Sequence, residues 1–293
     1  IKVIITFTAG SSTDIVGRVV TQRLSEVWGQ PVVVENKPGA GGVIGSQVVA
    51  KSPADGYTLV FGSIASHGIL PAIQNPPPYD PLKDFAPVSL VAMTPNVLLA
   101  NVASPAKSLS DLIQMARSKP GELNFGSTSL GGSPHMSGEL LKSMAKIDVL
   151  HIPYKGSSGA RTDVLGGQVD LMFDAVTTMT EQVKAGKVKA IATSGRQRSD
   201  VLPDVPTLSE AGVPNYEATI WLGIMAPKAT PKAVVEQLNA AISKIVGQAE
   251  VKQQWSKQGA TPMVMSVSAF DKYLQDDVQK WATVIRAANI KLD

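Results

Sequence analysis

The sequence predicts an α/β protein of two lobes, each built on a mostly parallel sheet. Strand-like runs alternate with helix-like runs through most of the 293 residues, which is the pattern of βαβ units. Two extended runs, "MTPNVLLANV" and "EATIWLGIMAP", interrupt this alternation. We interpret them as a hinge of two crossing strands, with residues 1–100 and 226–293 forming the first lobe and residues 101–225 the second.

The alternating runs have definite bounds. The predicted strands are Lys2–Phe7, Pro31–Glu35, Thr58–Gly62, Asn124–Gly126, Val149–Ile152, Asp170–Phe173 and Lys189–Thr193. The predicted helices are Asp14–Trp28, Val43–Lys51, Leu109–Ser118, Pro134–Ala145, Ala160–Gly166 and Thr178–Ala185. The tail after Pro231 is predicted to contain helices only.

Composition excludes several classes of function. The chain has no cysteine, which rules out disulfides, thiolate metal sites and cysteine nucleophiles. Its net charge of +3 comes from scattered lysines and arginines, and 5% of its residues are aromatic, so no nucleic-acid partner is expected. The chain begins in a strand pattern, so we expect an export signal to have been removed or to lie outside this sequence. The weak positive charge suits a small anionic ligand.

The first candidate site is the bend "TAGSSTD", where the opening strand gives way to a helix. Backbone N–H groups at a helix N-terminus attract anions, and small hydroxyl residues add further donors. Such a bend can hold a phosphate, a nucleophilic serine or a carboxylate. Asp14 would repel an anion, so we assign it as the helix N-cap and leave Ser11 and Ser12 to face the ligand.

Two further bends repeat this arrangement. In "NFGSTSLGGSPH" a strand leads through hydroxyl residues and a glycine pair to Ser133 and Pro134, which we predict as N-cap and first helical residue. The stretch "GSIASH" follows the third strand and contains Ser63, Ser66 and His67. Two helix N-termini with hydroxyls, one in each lobe, favour a binding site over ordinary capping.

Three other residues are candidates because of their positions near strand ends or helix starts. Lys155 and Asp174 follow strands of the second lobe, at the edge of an α/β sheet where ligands bind. Lys155 would pair with a carboxylate or be a solvated surface lysine, and Asp174 would accept from a ligand or cap the next helix. His135 would help to neutralise a ligand, or serve as a capping or packing residue.

Other site types lack their motifs. "VVVENKPGAGGVIGSQ" has Ile44 where a dinucleotide-binding loop needs its third glycine, so its glycines more plausibly allow a close backbone approach. No Gly-Lys-Ser or Gly-Lys-Thr phosphate loop and no Gly-x-Ser-x-Gly elbow occurs. The three histidines lack metal-ligand spacing, so neither a metal nor a cofactor is expected.

Taken together, these stretches resemble the Bug or TctC-type receptors of tripartite tricarboxylate transporters. The resemblance rests on "FTAGSSTDIVGRVV", "VVVENKPGAGGVIGSQVVAKSPADGYTLVFGS", "NFGSTSLGGSPHMSGELL", "HIPYKG", "GQVDLMFD" and "LPDVPTLSEAGVPNYEATIWLGIMAPKATP", in that order. It implies the two-lobed type II periplasmic binding protein fold and bends at Thr8–Thr13 and Ser127–Ser133 that grip carboxylates through amides and hydroxyls. Ser11 stands where the family usually has a second glycine.

The expected function is therefore that of a monomeric periplasmic receptor, without enzyme activity, that binds a small organic acid, most simply a dicarboxylate, between its lobes and delivers it to a membrane permease. The rival functions are a hydrolase or transferase that acts on a small carboxylate, and a receptor for a nucleotide or sugar. The expected ligand-binding residues are Thr8, Ala9, Gly10, Ser11, Ser12, Thr13, Ser63, Ser66, His67, Ser127, Thr128, Ser133, His135, Lys155 and Asp174.

Overall fold

A computed structural model describes residues 1–74, 76–287 and 290. The strands are β1 (Lys2–Ile5), β2 (Val33–Asn36), β3 (Thr58–Ser63), β4 (Phe85–Asn101), β5 (Asn124–Ser127), β6 (Leu150–Pro153), β7 (Leu171–Ala175), β8 (Val188–Thr193), β9 (Thr219–Pro227) and β10 (Thr261–Pro262). The helices are α1 (Ser12–Trp28), α2 (Val43–Ala50), α3 (Leu70–Ile73), α4 (Leu109–Ser118), α5 (Ser133–Ala145), α6 (Ser157–Gly166), α7 (Val176–Lys184), α8 (Lys232–Val246), α9 (Ala249–Lys257) and α10 (Val267–Ala287).

The chain divides into two compact units. The first unit contains Ile1–Met93, Trp221–Ser256 and the chain from Thr261 onward, and the second contains Thr94–Ile220 and Lys257–Ala260. The chain passes from one unit to the other inside β4 and inside β9, and again on either side of the short segment Lys257–Ala260. The boundaries predicted at 100/101 and 225/226 fall within these same two strands.

In the first unit, β2, β1 and β3 are parallel, and β9 pairs antiparallel with β3. The β1 residues Val3, Ile4 and Ile5 are almost fully buried. Helix α1 packs closely on this sheet because Gly17 has no side chain: a Cβ there would lie 3.1 Å from the Ile5 Cδ1 atom and 3.3 Å from the Phe61 ring. Because β1, β2 and β3 are parallel, their carboxyl ends lie at one edge of the sheet.

In the second unit, β6, β5 and β7 are parallel, and β4 pairs antiparallel with both β7 and β8. Its core includes Val97, Leu99, Met172, Val176 and Met179, all fully buried. Since β7 and β8 are both antiparallel to β4, they end at the same edge, where β4 enters the unit. Residues after β5, β6, β7 and β8 are thereby placed along that edge.

All the predicted strands and helices are present within a few residues of their predicted bounds. One expectation was wrong: the tail is not helical throughout, because β10 pairs with β4. The first extended run belongs to a longer strand, β4, which begins at Phe85. Among the described residues, no helix is both long and apolar enough to cross a membrane.

Candidate functional site

The bend after β1 is held by hydrogen bonds among its own residues and turns sharply at Gly10. Gly10 has a φ of 76°, a conformation that glycine adopts without strain. The Ser11 N–H donates to the Thr8 carbonyl at 3.2 Å. Ser11 is the N-cap of α1, since its hydroxyl accepts from the Asp14 N–H at 3.3 Å. The prediction that Asp14 is the N-cap was therefore wrong, and Ser11 is buried in this role.

This arrangement leaves two N–H groups of α1 without a partner. The first N–H groups of a helix have no partner within the helix, because the residues four positions earlier lie outside it. Those of Ser11 and Asp14 are satisfied as described, while no backbone hydrogen bond of the described residues uses those of Ser12 or Thr13. Ser12 is half-buried and Thr13 is buried, whereas Ala9 and Gly10 are exposed. The bend thus offers paired donors at the positive end of a helix dipole.

Asp14 is held by three donors, one from the bend, one from α1 itself and one from β2. Its carboxylate accepts from the Gly10 N–H at 3.0 Å, from Arg18 Nε at 2.8 Å and from Asn36 Nδ2 at 2.9 Å. Burial acts to raise the pKa of Asp14, but these hydrogen bonds and the charge of Arg18 outweigh it, and the pKa is lowered. Asp14 is therefore ionised at neutral pH and bonded away from the free N–H groups.

The bend after β3 lies in the core. His67 is fully buried in a π-helical turn, 4.7 Å from the Phe85 ring and 5.8 Å from the Tyr79 ring between centroids. Its Nδ1 atom is 2.9 Å from the Ser66 hydroxyl, and its Nε2 atom has no partner among the described residues. Burial lowers the pKa of His67 to about 3. The Ser66 hydroxyl also bonds to the backbone N–H and carbonyl of Ser63, so it stabilises the turn itself. Ser63 is buried.

The glycines after β2 confirm the expected close approach of backbone. A Cβ at Gly45 would lie 2.8 Å from the Lys37 carbonyl oxygen, and one at Gly42 would lie 3.1 Å from both the Thr6 hydroxyl oxygen and the Ser66 Cβ. The glycine-rich turn therefore packs directly against the ends of β1 and β3. Larger side chains would push these strand ends apart.

In the second unit, the bend after β5 is fixed by two stacked histidines. The His135 and His151 rings are 3.9 Å apart, and His135 Nδ1 accepts from the Gly131 N–H at 3.0 Å. His151 Nε2 is 2.7 Å from the hydroxyl of Ser127, which is fully buried. Burial lowers the pKa of His135 to about 4 and that of His151 to about 3. Both are neutral at pH 7, so His135 supplies no positive charge to an anion.

The start of α5 differs from the prediction at Ser133. Gly132 is the N-cap and Ser133 is the first helical residue. The Ser133 hydroxyl instead accepts from Asn96 Nδ2 at 2.9 Å, and the Ser137 hydroxyl accepts from the same nitrogen at 2.9 Å. This contact ties the N-terminus of α5 to β4. Thr128 is half-buried in the preceding bend.

Asp174 forms a buried ion pair. Its carboxylate accepts from Arg161 Nε at 2.8 Å and from the Ala175 N–H at 2.8 Å. Burial raises the pKa of Asp174 despite the charge of Arg161. Asp174 does not cap α7, whose N-cap is Ala175, and Arg161 is its ion-pair partner. Lys155 is exposed beyond β6 and has no ion pair within the described part of the chain.

The same edge of the second unit carries buried polar atoms without partners among the described residues. These are Asn96 Oδ1, Ser129 Oγ, Arg161 Nη2, Thr177 Oγ1 and Thr193 Oγ1. Buried polar atoms are ordinarily hydrogen-bonded. A cluster of unpartnered ones at this edge therefore indicates a place for a ligand or water. None of these five residues is among the ligand-binding residues predicted from the sequence. The position of Thr193 at the end of a predicted strand was an available sign. Within the described ranges, no group of three or more acidic or histidine side chains is placed to hold a metal.

Two solved structures, of a periplasmic transporter and of the periplasmic binding protein BugD, match 100% and 99% of this chain with TM-scores of 0.95 and 0.92. The chain therefore has the α/β fold of a periplasmic binding protein. The model of the tripartite tricarboxylate transporter receptor family, TctC, matches residues 16–290. The chain belongs to this family, as the resemblance of its motifs predicts.

Three relatives are similar to this chain along nearly its whole length. BugT of Bordetella pertussis is 37% identical over 297 residues, which cover 100% of this chain and 90% of BugT. The structure of Rpa4515 of R. palustris with adipate is 34% identical with a TM-score of 0.95, and covers 99% of this chain and 97% of that one. The structure of MatC of Rhodopseudomonas palustris with bound malate is 33% identical with a TM-score of 0.90, covering 97% and 98%.

Proposed function

We propose that this protein is a periplasmic receptor that binds a small organic carboxylate, most simply a dicarboxylate, and delivers it to the membrane permease of a tripartite tricarboxylate transporter. Family membership supports the receptor role and the delivery. The observation that carries the choice of ligand is that two relatives, each about one third identical along nearly the whole chain, hold adipate and malate, which are both dicarboxylates.

The loops of each unit suit such a ligand chemically. The first unit offers the free N–H groups of Ser12 and Thr13, and the second offers unpartnered hydroxyls such as that of Ser129. A hydrogen bond to a charged group contributes about 1.5–3 kcal/mol. Four such bonds would contribute roughly 6–12 kcal/mol, and micromolar affinity needs about 8 kcal/mol. A few well-placed donors are thus sufficient without a metal or a cofactor.

We propose that binding involves no chemical conversion. Two contacts among the described residues resemble a serine nucleophile with its base: Ser127 with His151 at 2.7 Å, and Ser66 with His67 at 2.9 Å. With a pKa of about 3, each histidine is too weak a base to activate a hydroxyl at pH 7. Both serines are fully buried and therefore inaccessible to a substrate. The two pairs support their bends.

Binding is tested by thermal shift and calorimetric titration against mono-, di- and tricarboxylates, after unfolding and refolding to remove any acid carried through purification. We expect one-to-one binding of at least one dicarboxylate, with the acid unchanged by NMR after prolonged incubation. Absence of binding to the whole panel would contradict the proposed function, and turnover would favour the rival enzyme function.

A matched pair of glycine variants tests the position of the site. Gly10 and Gly29 lie at opposite ends of α1, both have positive φ, and a Cβ at either would meet nothing within 4 Å. Gly10→Leu and Gly29→Leu should therefore cost similar backbone strain. We expect Gly10→Leu alone to reduce affinity, by about tenfold or more, because its side chain lies beside the free N–H groups. Equal affinities for the two variants would place the site elsewhere.

A further inference from the structure

The first unit has a negative charge, that of Asp14, next to the groups proposed to bind an anion. An anion site formed by the Ser12 and Thr13 N–H groups has an ionised aspartate in the next position of the chain. A carboxylate this close would repel an anionic ligand. The side chains around Asp14 are arranged in a way that removes this repulsion.

The contacts of Asp14 form a closed network with Arg18 and Asn36. Arg18 Nε donates to Asp14 Oδ1 at 2.8 Å, and Arg18 Nη2 donates to Asn36 Oδ1 at 2.8 Å. The amide nitrogen of Asn36 then donates both to Asp14 Oδ1 at 2.9 Å and to the Phe7 carbonyl at 3.0 Å. Since Arg18 can only donate, its contact fixes the orientation of the Asn36 amide.

The network holds the bend at two points. Asn36 binds the Phe7 carbonyl on the strand side, and Asp14 Oδ2 binds the Gly10 N–H at 3.0 Å on the helix side. These two contacts fix the backbone immediately before the free N–H groups of Ser12 and Thr13. Arg18 also places a positive charge on a carboxylate whose side chain is 6% exposed.

We propose that Arg18 and Asn36 are positioning residues for the carboxylate site: they fix the bend from Phe7 to Gly10 and compensate the charge of Asp14, so that an anion can bind at the α1 N-terminus. The inference rests on the proposed function for its ligand, but the positioning of the bend is a property of the free protein. Arg18 touches no ligand-facing group itself. Its effect on affinity acts through Asp14 and Asn36.

Three variants separate charge from geometry. Arg18→Met removes both, and we expect the affinity for the dicarboxylate to fall by about tenfold or more. Adding Asp14→Asn to Arg18→Met removes the uncompensated charge and should recover a large part of that loss. Arg18→Lys keeps a charge near Asp14 but not the forked contact to Asn36, so it should have an intermediate affinity. Arg23→Met is the matched control, since Arg23 lies on the same helix and pairs with Glu26 and Glu250.

Salt provides a readout that a purely structural role would not move. Screening weakens repulsion between charges. Raising the salt concentration should therefore increase the affinity of Arg18→Met for the dicarboxylate, but not the affinity of the wild-type protein. A fall in affinity that is equal at low and high salt, or that persists fully after adding Asp14→Asn, would overturn the charge compensation.

Hydrogen exchange tests the positioning without a ligand. The Gly10 amide should exchange faster in Asn36→Ala and Arg18→Met than in the wild-type protein and Arg23→Met. Unchanged Gly10 exchange would overturn the positioning role. If the wild-type protein binds no carboxylate while Gly10 responds as expected, the proposed function fails and the positioning of the bend stands.

Discussion

The buried His67 predicts a defined loss of stability in mild acid. His67 is fully buried, and its pKa is lowered to about 3, whereas an unfolded histidine titrates near 6.5. Between these values the unfolded chain binds a proton that folded His67 does not. The stability that depends on neutral His67 is therefore complete above about pH 6.5 and falls as the pH decreases toward about 3.

The size of the effect follows from the two pKa values. Each pH unit between them costs about 1.4 kcal/mol. At about pH 5, which is roughly 1.5 units below the unfolded pKa, the penalty from His67 alone is about 2 kcal/mol. The contacts of the ring supply no negative charge to offset this penalty: Nδ1 lies 2.9 Å from the neutral Ser66 hydroxyl, Nε2 has no partner among the described residues, and the neighbouring rings are Tyr79 and Phe85.

The substitution His67→Leu removes the titrating group and keeps an apolar side chain in the pocket. Urea unfolding of both proteins at about pH 7.5 and about pH 5 should show that the variant loses about 2 kcal/mol less than the wild-type protein over this interval. The comparison uses differences between two pH values, so the packing change of the variant cancels. His135 and His151 remain in both proteins and contribute equally.

Two results would refute this reasoning. If the variant loses as much stability as the wild-type protein, His67 does not titrate as a buried group. If NMR titration of the folded wild-type protein shows His67 gaining a proton near pH 6.5, the residue is accessible to solvent. Either result would return His67 to the set of candidate ligand contacts.

Three further substitutions test the loops and their supports. Ser11→Ala removes the N-cap of α1 and should destabilise the protein by about 1 kcal/mol in urea unfolding; no change would mean that another group caps the helix. Arg161→Met leaves the buried Asp174 carboxylate unpaired and should cost about 3–5 kcal/mol, recovered in part by adding Asp174→Asn; a double variant as unstable as the single one would contradict the ion-pair account. Gly138→Ala places a Cβ 2.2 Å from the Phe125 ring and should cost about 1–3 kcal/mol by thermal unfolding, whereas wild-type stability would show that α5 can move away.

The sequence predicts the order of elements well because each has local determinants. The β-branched run before Phe7 and the apolar pattern after Asp14 are enough to place β1 and α1 within two residues. The family of the chain is also predictable, because several long motifs occur in order and the family model matches most of the chain. These features depend on residues that are neighbours in the sequence.

The roles of individual side chains are less predictable because their partners are distant in the sequence. Both Ser11 and Asp14 are good capping residues, and the choice depends on Arg18 and Asn36, which bind the Asp14 carboxylate. His67 lies in a short loop by its sequence. It becomes a core residue because Phe85 and the π-helical turn enclose it.

The second unit gives a parallel example. The sequence presents Asp174 as a strand-end carboxylate open to a ligand or to a helix N-terminus. Arg161 lies 2.8 Å from it, although nothing between the two residues indicates that they pair. Asn96 likewise contacts Ser133 and Ser137 across about forty residues of chain. Tertiary contacts of this kind decide which polar side chains remain available, whereas the N–H groups at the start of a helix follow from the local backbone alone.

The central claim is that a small carboxylate binds the free amides at the start of α1. NMR spectra of the backbone amides, recorded while a dicarboxylate is added to the wild-type protein, test it directly. The account predicts that the Ser12 and Thr13 amide resonances shift along one saturation curve, while that of Asp14, whose N–H is bonded to Ser11, changes least. Saturable binding that leaves Ser12 and Thr13 unmoved would contradict the account.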